Sequence, residues 1–245
     1  RLSLSDPLTR FFPDVPEDKR AITVRHLLTH TAGLGDHYAA DGVVDRDDAV
    51  RALLARPLER APGTAYGYTA DAYNLLALVV EVASGQPFEG YLRSEVLEPA
   101  AMTETGFWSE PDLPVPQAPA RRLTEPLPNW GWRGATGISS TVDDLYRWHL
   151  ALLSDAVLGD STRAEAFAPQ VARPNGGHYG YGWQVARTPR GTTLLAHSGA
   201  EDGLRHFAAL YRYVEDGVVV IALSNSSEDE AFGTLRGVLG VVFPR

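Results

Sequence analysis

An α+β fold, with helices packed on an antiparallel sheet, is what this sequence predicts, and three observations carry it. Through the first two-thirds of the chain, apolar residues recur at helical spacing. From residue 178 the period shortens to that of strands, in runs separated by glycine-bearing turns. A last amphipathic stretch, 229 to about 240, closes the chain as a helix.

Taken in order, residues 1 to 20 read as extended and turn-rich, with Pro7, Pro13 and Pro16 as breakers. In "TVRHLLTHTAGL" Thr23 is the N-cap of a helix that stops before Gly33. "RDDAVRALLAR", 46 to 56, sets Val50, Leu53 and Leu54 on one helical face. The Gly/Pro/Thr-rich loop "APGTAYGYTAD" leads into a stronger helix, where Leu75, Leu76, Val79, Val80 and Ala83 share a face and Ser84-Gly85 is the stop. Phe88 to Leu97 forms another helix, and residues 109 to 136 form a long ordered loop. In "SSTVDDLYRWHLALL", Thr141 with Asp144 three places on resembles a capping box, and Leu145, Trp148 and Leu152 form the buried stripe. The strands follow as "YGYGWQVAR", "TTLLAHSG", "RHFAALYRYV" and "GVVVIALSN". The last of these is apolar on both faces, so a central strand is expected, with its second neighbour supplied from before residue 1. The organisation is one domain over 1–245, with 24–175 mainly a helical subdomain and 176–245 antiparallel strands plus the C-terminal helix.

Composition narrows the function classes. A net charge of -9 argues against nucleic acid as a partner, and no apolar run reaches the roughly 20 residues of a membrane helix. With no cysteine, disulfide and thiolate chemistry are absent from these residues. Of the 22 lysines and arginines only Lys19 is a lysine, so a mechanism that needs a lysine base uses Lys19 or a lysine outside this chain. "RLSLSDPLTRFFPDV" carries no signal segment and no evident start to a fold. The compartment, exported or cytoplasmic, is not legible.

Three kinds of chemistry compete. His26 and His30 stand at i, i+4, the spacing of helical metal ligands, but Leu27 follows the first histidine where metalloproteases place their glutamate, so no metal and no cofactor are expected. No G-x-S-x-G elbow and no nucleotide-binding glycine pattern occurs. What remains is Tyr68, in a loop ahead of a strong helix, and His197, which ends a strand two residues before Gly199. A phenol with a pKa near 10 needs help to act as a base near neutrality. Both residues also admit an ordinary packing or capping role.

Five stretches in one order change that balance: "ITVRHLLTHTAGL", "APGTAYGYTADAYNLLALVVEVASGQPF", "VLEPAAMTETGF", "GATGISSTVDDLYRW" and "AHSGAEDG". Together they resemble the serine β-lactamase-like family of class C β-lactamases, DD-peptidases and related esterases, which are bacterial enzymes of the β-lactamase/transpeptidase fold. The resemblance spans essentially the whole chain. It implies acyl-enzyme hydrolysis of a small-molecule ester, amide or β-lactam, without cofactor. "HSG" matches the family's third motif, which implies that His197 positions substrate and proton-relay groups, that Ser198 and Gly199 line the substrate, and that the Ala200 N–H serves an oxyanion hole. Tyr68 in "YTA" matches the tyrosine of Tyr-x-Asn, and Ala70 stands where the family has asparagine, which leans the reading away from β-lactams and peptides toward esters. Trp130 and Trp132 either line an apolar acyl pocket or pack their loop. The Ser-x-x-Lys motif is not found: Pro16, not serine, stands three residues before Lys19. The nucleophile helix and the strands beside "GVVVIALSN" are therefore expected upstream, and the 245 residues alone are expected to be inactive. The alternative is a non-catalytic binding or scaffold member of the fold.

Overall fold

A computed structural model describes residues 2–36, 38–107, 129–201 and 206–244. The N-terminal segment makes two short helical turns, Leu8–Arg10 and Glu17–Lys19, and folds back so that the Leu8 N–H bonds the Ile22 carbonyl at 2.9 Å. Four helices follow: α1 (Val24–Leu28), α2 (Arg46–Ala55), α3 (Ala70–Ser84) and α4 (Phe88–Leu92). Past α4 the chain widens through Arg93–Leu97, where the Glu98 N–H reaches back five residues to the Arg93 carbonyl. A two-stranded ribbon, β1 (Gly106–Phe107) with β2 (Ile138–Ser139), precedes α5 (Val142–Ala151) and α6 (Asp160–Phe167). Then come β3 (Val171–Ala172), β4 (His178–Tyr179), β5 (Gln184–Arg187), β6 (Thr193–Glu201), β7 (His206–Tyr213), β8 (Val218–Ser224) and α7 (Glu228–Val242). These six strands form an antiparallel meander in the order β3-β4-β5-β6-β7-β8. No described helix is long and apolar enough to cross a membrane.

Local chemistry explains why α3 anchors the helical side. Thr69 caps its start by accepting from the Asp71 N–H, and Gly85, at φ 71°, takes the left-handed conformation that ends it. Ala72, Leu75, Leu78 and Val79 are buried, while Ala83, expected on the inner face, is exposed; the buried arc lies about a quarter-turn from the sequence estimate and reaches round to Ala77. Fully buried Asn74 donates to the Gly131 carbonyl at 2.8 Å and accepts from the Gly134 N–H at 3.0 Å. It thereby ties the 129–137 loop to α3. Gly134 is required there: a Cβ would lie 2.3 Å from the Tyr73 carbonyl oxygen.

Two expectations are corrected. The run 179–187 is not one strand: Gly180–Gly182 breaks it into the β4–β5 hairpin, with Gly182 at φ 80°. The capping box at α5 is half made. Thr141 accepts from the Asp144 N–H, but the Asp144 carboxylate is turned into the protein, accepting from the Glu104 N–H and the Thr105 hydroxyl, both at 2.7 Å. The reciprocal boxes are instead Thr23 with His26 and Ser227 with Glu230. Strand β8 pairs with β7 on one side and with no strand on the other among the described residues, which leaves open the edge where a neighbour from before residue 1 is expected. Its two apolar faces are explained by cover from both sides: Val218, Val220 and Ala222 pack in the cluster under α7, and Val219 and Ile221 in the one that includes Leu152 and Trp148 of the α5 region.

Candidate functional site

His30 is the deepest part of the site. Helix α1 stops after Leu28, well short of Gly33, and His30 occupies the left-handed position just past its end at φ 54°. The Thr31 N–H bonds the His26 carbonyl at 2.8 Å and the His30 N–H the Leu27 carbonyl at 3.2 Å, the paired bonds of a Schellman stop. Glycine usually takes that place; a β-carbon there costs roughly 1–2 kcal/mol. The strained turn drives the imidazole inward, where it is 1 % exposed. Its Nδ1 accepts from the Thr69 N–H at 3.3 Å, and Nε2 has no hydrogen-bond partner. Burial, with His197 adding a smaller push, lowers its pKa to about 3, so the ring is neutral.

Around that ring stand the tyrosines. Its centroid lies 4.3 Å from that of Tyr68, 4.9 Å from those of Tyr73 and Tyr179, and 6.0 Å from that of Tyr66. Tyr68 comes from the loop before α3 and presents an open ring surface, 49 % exposed. Burial of its surroundings, then Tyr66, then Asp36 all raise its pKa. None of these favours the phenolate.

The opposite wall is β6. His197 faces Tyr68 across 6.3 Å, ring centre to ring centre, and its Nε2 lies 3.1 Å from the Tyr179 hydroxyl. Burial lowers the His197 pKa; the Ser198 backbone raises it and the Arg173 guanidinium lowers it further. Strand β6 pairs with β7 from Leu194 to Glu201, but with β5 only from Thr193 to Ala196. The backbone of 197–201 therefore has one edge that pairs with no strand among the described residues. Gly199 and Ala200 are exposed, and a Cβ built on Gly199 meets nothing within 4 Å. The Ser198 hydroxyl interacts with the Tyr211 phenol.

Arg173, just past β3, completes the mouth. It donates to the Gln184 side chain at 2.9 Å and bonds the Tyr66 hydroxyl, and its buried Nε has no partner. No carboxylate among the described residues pairs with it.

The remaining candidates fall elsewhere. His26 is spent on its capping box, and with His30 turned off the helix the two rings do not share a helical face. Lys19, 2 % exposed, pairs with Asp18 at 2.7 Å and packs with the N-terminal turns. Trp130, 1 % exposed, is part of the helical core under the Arg133 guanidinium, which is packing rather than a pocket wall; the Trp132 indole donates to Asp41 at 2.7 Å. A cavity of about 850 Å³ lined by Phe11, Phe12, Val50, Leu54 and Val82 contains none of the site residues. The sequence pairs Tyr68 with His197, but it leaves His26 and His30 as either metal ligands or one packed and one turn-bonding histidine, and Tyr179 only as part of a strand. The available signal was the density of aromatic residues in "AYGY" and "HYGYGW".

Helices packed with an antiparallel meander make this an α+β protein of the β-lactamase/transpeptidase fold. The family model described as Beta-lactamase matches residues 1–240, and the chain belongs to that family, whose members are serine hydrolases. Penicillin-binding protein 4* of Bacillus subtilis is 27% identical over 94% of this chain and 57% of its own length. Among solved structures, an octameric penicillin-binding protein homologue from Pyrococcus abyssi superposes with a TM-score of 0.78 at 23% identity, covering 98% of this chain and 60% of that one. D-amino acid amidase from Ochrobactrum anthropi, bound to D-phenylalanine, gives the same TM-score at 24% identity, covering 98% of this chain and 83% of its own. The chain spans about half the length of the curated relatives it matches, 48% to 57% for the first three.

Proposed function

We propose that these residues form the phenol–imidazole half of a serine-hydrolase site that cleaves a small-molecule ester, amide or β-lactam through an acyl-enzyme. The observation that carries this is the pair Tyr68 and His197, facing each other at 6.3 Å beside the unpaired edge of β6. Tyr68 acts in proton transfer to and from the nucleophile, His197 positions substrate, and the N–H groups of the open edge, Ala200 among them, stabilise the oxyanion. The Arg173 guanidinium, which pairs with no carboxylate among the described residues, favours an acyl donor carrying a carboxylate. Ala70, where the family has asparagine, disfavours an extended amide contact and leans toward esters.

The half-site needs two partners. Among the described residues, no serine or threonine hydroxyl bonds His30, Tyr68 or His197, and the groups that act on Tyr68 raise its pKa. A hydroxyl nucleophile and a cation to draw the phenol toward its charged form belong to a Ser-x-x-Lys segment outside these 245 residues. The edge of β8 that pairs with no described strand offers backbone groups to upstream strands that would accompany the helix bearing that motif.

Incubating the 245-residue chain with an activated phenyl ester is expected to leave its intact mass unchanged. A stable acyl adduct on any serine of this chain overturns the proposal. In the protein that carries a Ser-x-x-Lys segment, Tyr68→Phe is expected to lower kcat by roughly 10²- to 10⁴-fold. The Ala70 departure also supports a second reading, a non-catalytic binding module of the same fold. An in-frame Ser-x-x-Lys in the coding sequence ahead of Arg1 excludes that reading, and a continuous frame without one favours it.

A further inference from the structure

Tyr179 is the residue whose placement has a consequence beyond packing. It sits at the end of β4, 1 % exposed, with its ring 6.2 Å from that of His197 at an interplanar angle of 77°. Its hydroxyl is 3.1 Å from Nε2. A buried phenol must give its proton to some acceptor. Two are near: the Nε2 lone pair at hydrogen-bonding distance, and the oxygen of Tyr73, whose own proton goes to the Leu28 carbonyl at 3.0 Å. The Tyr73 and Tyr179 hydroxyls also share a side-chain hydrogen bond, so the Tyr73 oxygen competes with Nε2 for the Tyr179 proton; the 3.1 Å contact to Nε2 is the one that bears on the cleft.

We propose that Tyr179 is a positioning residue: its hydroxyl donates to Nε2 of His197 and fixes the imidazole as the neutral Nδ1–H tautomer. The proposal rests on the reading of His197 as a residue of the hydrolase cleft. With the Nε2 lone pair occupied, His197 does not take the nucleophile's proton through that atom. It is a donor and a wall, and proton transfer is left to Tyr68 and the cation that activates it. The groups facing the imidazole are consistent with a neutral ring. Tyr68 and Tyr179 are phenols, His30 is neutral, and the Arg173 guanidinium disfavours a second positive charge.

The test is imidazole nitrogen NMR on the ¹⁵N-labelled 245-residue chain, with and without Tyr179→Phe. In the unsubstituted chain at neutral pH, His197 is expected to show a protonated Nδ1 and an unprotonated Nε2. In Tyr179→Phe, which keeps the ring and loses only the donor, the titration midpoint of His197 is expected to rise by about 0.4 to 1 pH unit, the value of one ordinary hydrogen bond to the neutral form. If the arrangement runs the other way, with Nε2–H donating to Tyr179, the ring is protonated on Nε2, and removing the phenol lowers the midpoint or leaves it unmoved. Either result overturns the proposal. Should the variant fail to fold, the tautomer of the unsubstituted chain decides alone. Because no substrate is present, the outcome is independent of whether the chain, or any longer form, hydrolyses esters.

Discussion

The helical side of the molecule fills one continuous core, running from Leu8 through Leu27, Leu53, Leu75 and Leu78 to Trp130. The sheet divides its apolar surface instead. Phe207 and Val220 pack with Leu235 of α7 on one face, Leu152, Trp183 and Leu210 pack on the other, and the outer edge of β8 pairs with no strand among the described residues. The two walls of the cleft inherit this difference. His30 and Thr69 are locked from behind by the deep core, 1 % exposed each, and Tyr68 stands against them. On β6, the 197–201 stretch is held, among the described residues, by pairing with β7 and by the reach of Tyr179. One wall is thus built before anything binds, and the other is a strand with an edge to spare.

The largest effect expected from this contrast is in the cores themselves. Leu75→Ala removes a fully buried side chain from the middle of α3, where the packed surroundings cannot collapse; a loss of about 3–5 kcal/mol is expected in urea unfolding. Leu235→Ala, on α7 against the sheet, is expected near the lower end, about 2 kcal/mol, because a helix lying on one face can settle into the gap. Equal losses would break the comparison.

Next in size is the response to acid. His30 is neutral in the folded chain, with its pKa pushed down to about 3 from 6.5, while the unfolded chain takes up a proton below 6.5. The unfolded state therefore binds more protons between these values, and stability falls as pH drops from 6.5 toward 3, by a few kcal/mol, about 1.4 for each pH unit. His30→Asn keeps a residue that tolerates the left-handed turn and removes the titration, so its stability should vary less over that range. His26, His149 and His197 are lowered too, so the slope should flatten without vanishing. An unchanged slope in His30→Asn would show that the helical wall does not hold this ring neutral.

What the sequence made legible follows the same division. The end of α3 was readable because a left-handed glycine acts locally. The pairing of Tyr68 with His197 came from motif order, and the structure brings the two together. Where a residue's partner is distant, the local pattern misled. Asp144 has the spacing of a capping box, yet it finds two better donors in the β1 approach. His30 has the spacing of a helical ligand, but the helix ends before it and the αL turn sends its ring toward tyrosines 36 and 38 residues further on. Apolarity on both faces of β8 signalled cover on both sides, and α7 and the α5 region supply it.

The smallest effect uses one device placed in both regions, the hydroxyl that caps a helix. Thr69, at the start of α3, accepts from the Asp71 N–H at 3.2 Å and donates to the Gly35 carbonyl at 2.9 Å, both in the buried interior. Ser227, at the start of α7, accepts from the Glu230 N–H at 3.5 Å on an exposed turn. Thr69→Val keeps the branched shape and strands a buried donor and acceptor, so a loss of about 1–2 kcal/mol is expected. Ser227→Ala frees groups that water can reach, and about 0.5 kcal/mol is expected. Thr69→Val also bears on the cleft, because the same residue's N–H holds His30 and its neighbour is Tyr68. The imidazole nitrogen shifts of His30 should therefore move in that variant and remain fixed in Ser227→Ala. Should both substitutions cost the same and leave His30 untouched, the helical wall would be no more rigid than the sheet wall it faces.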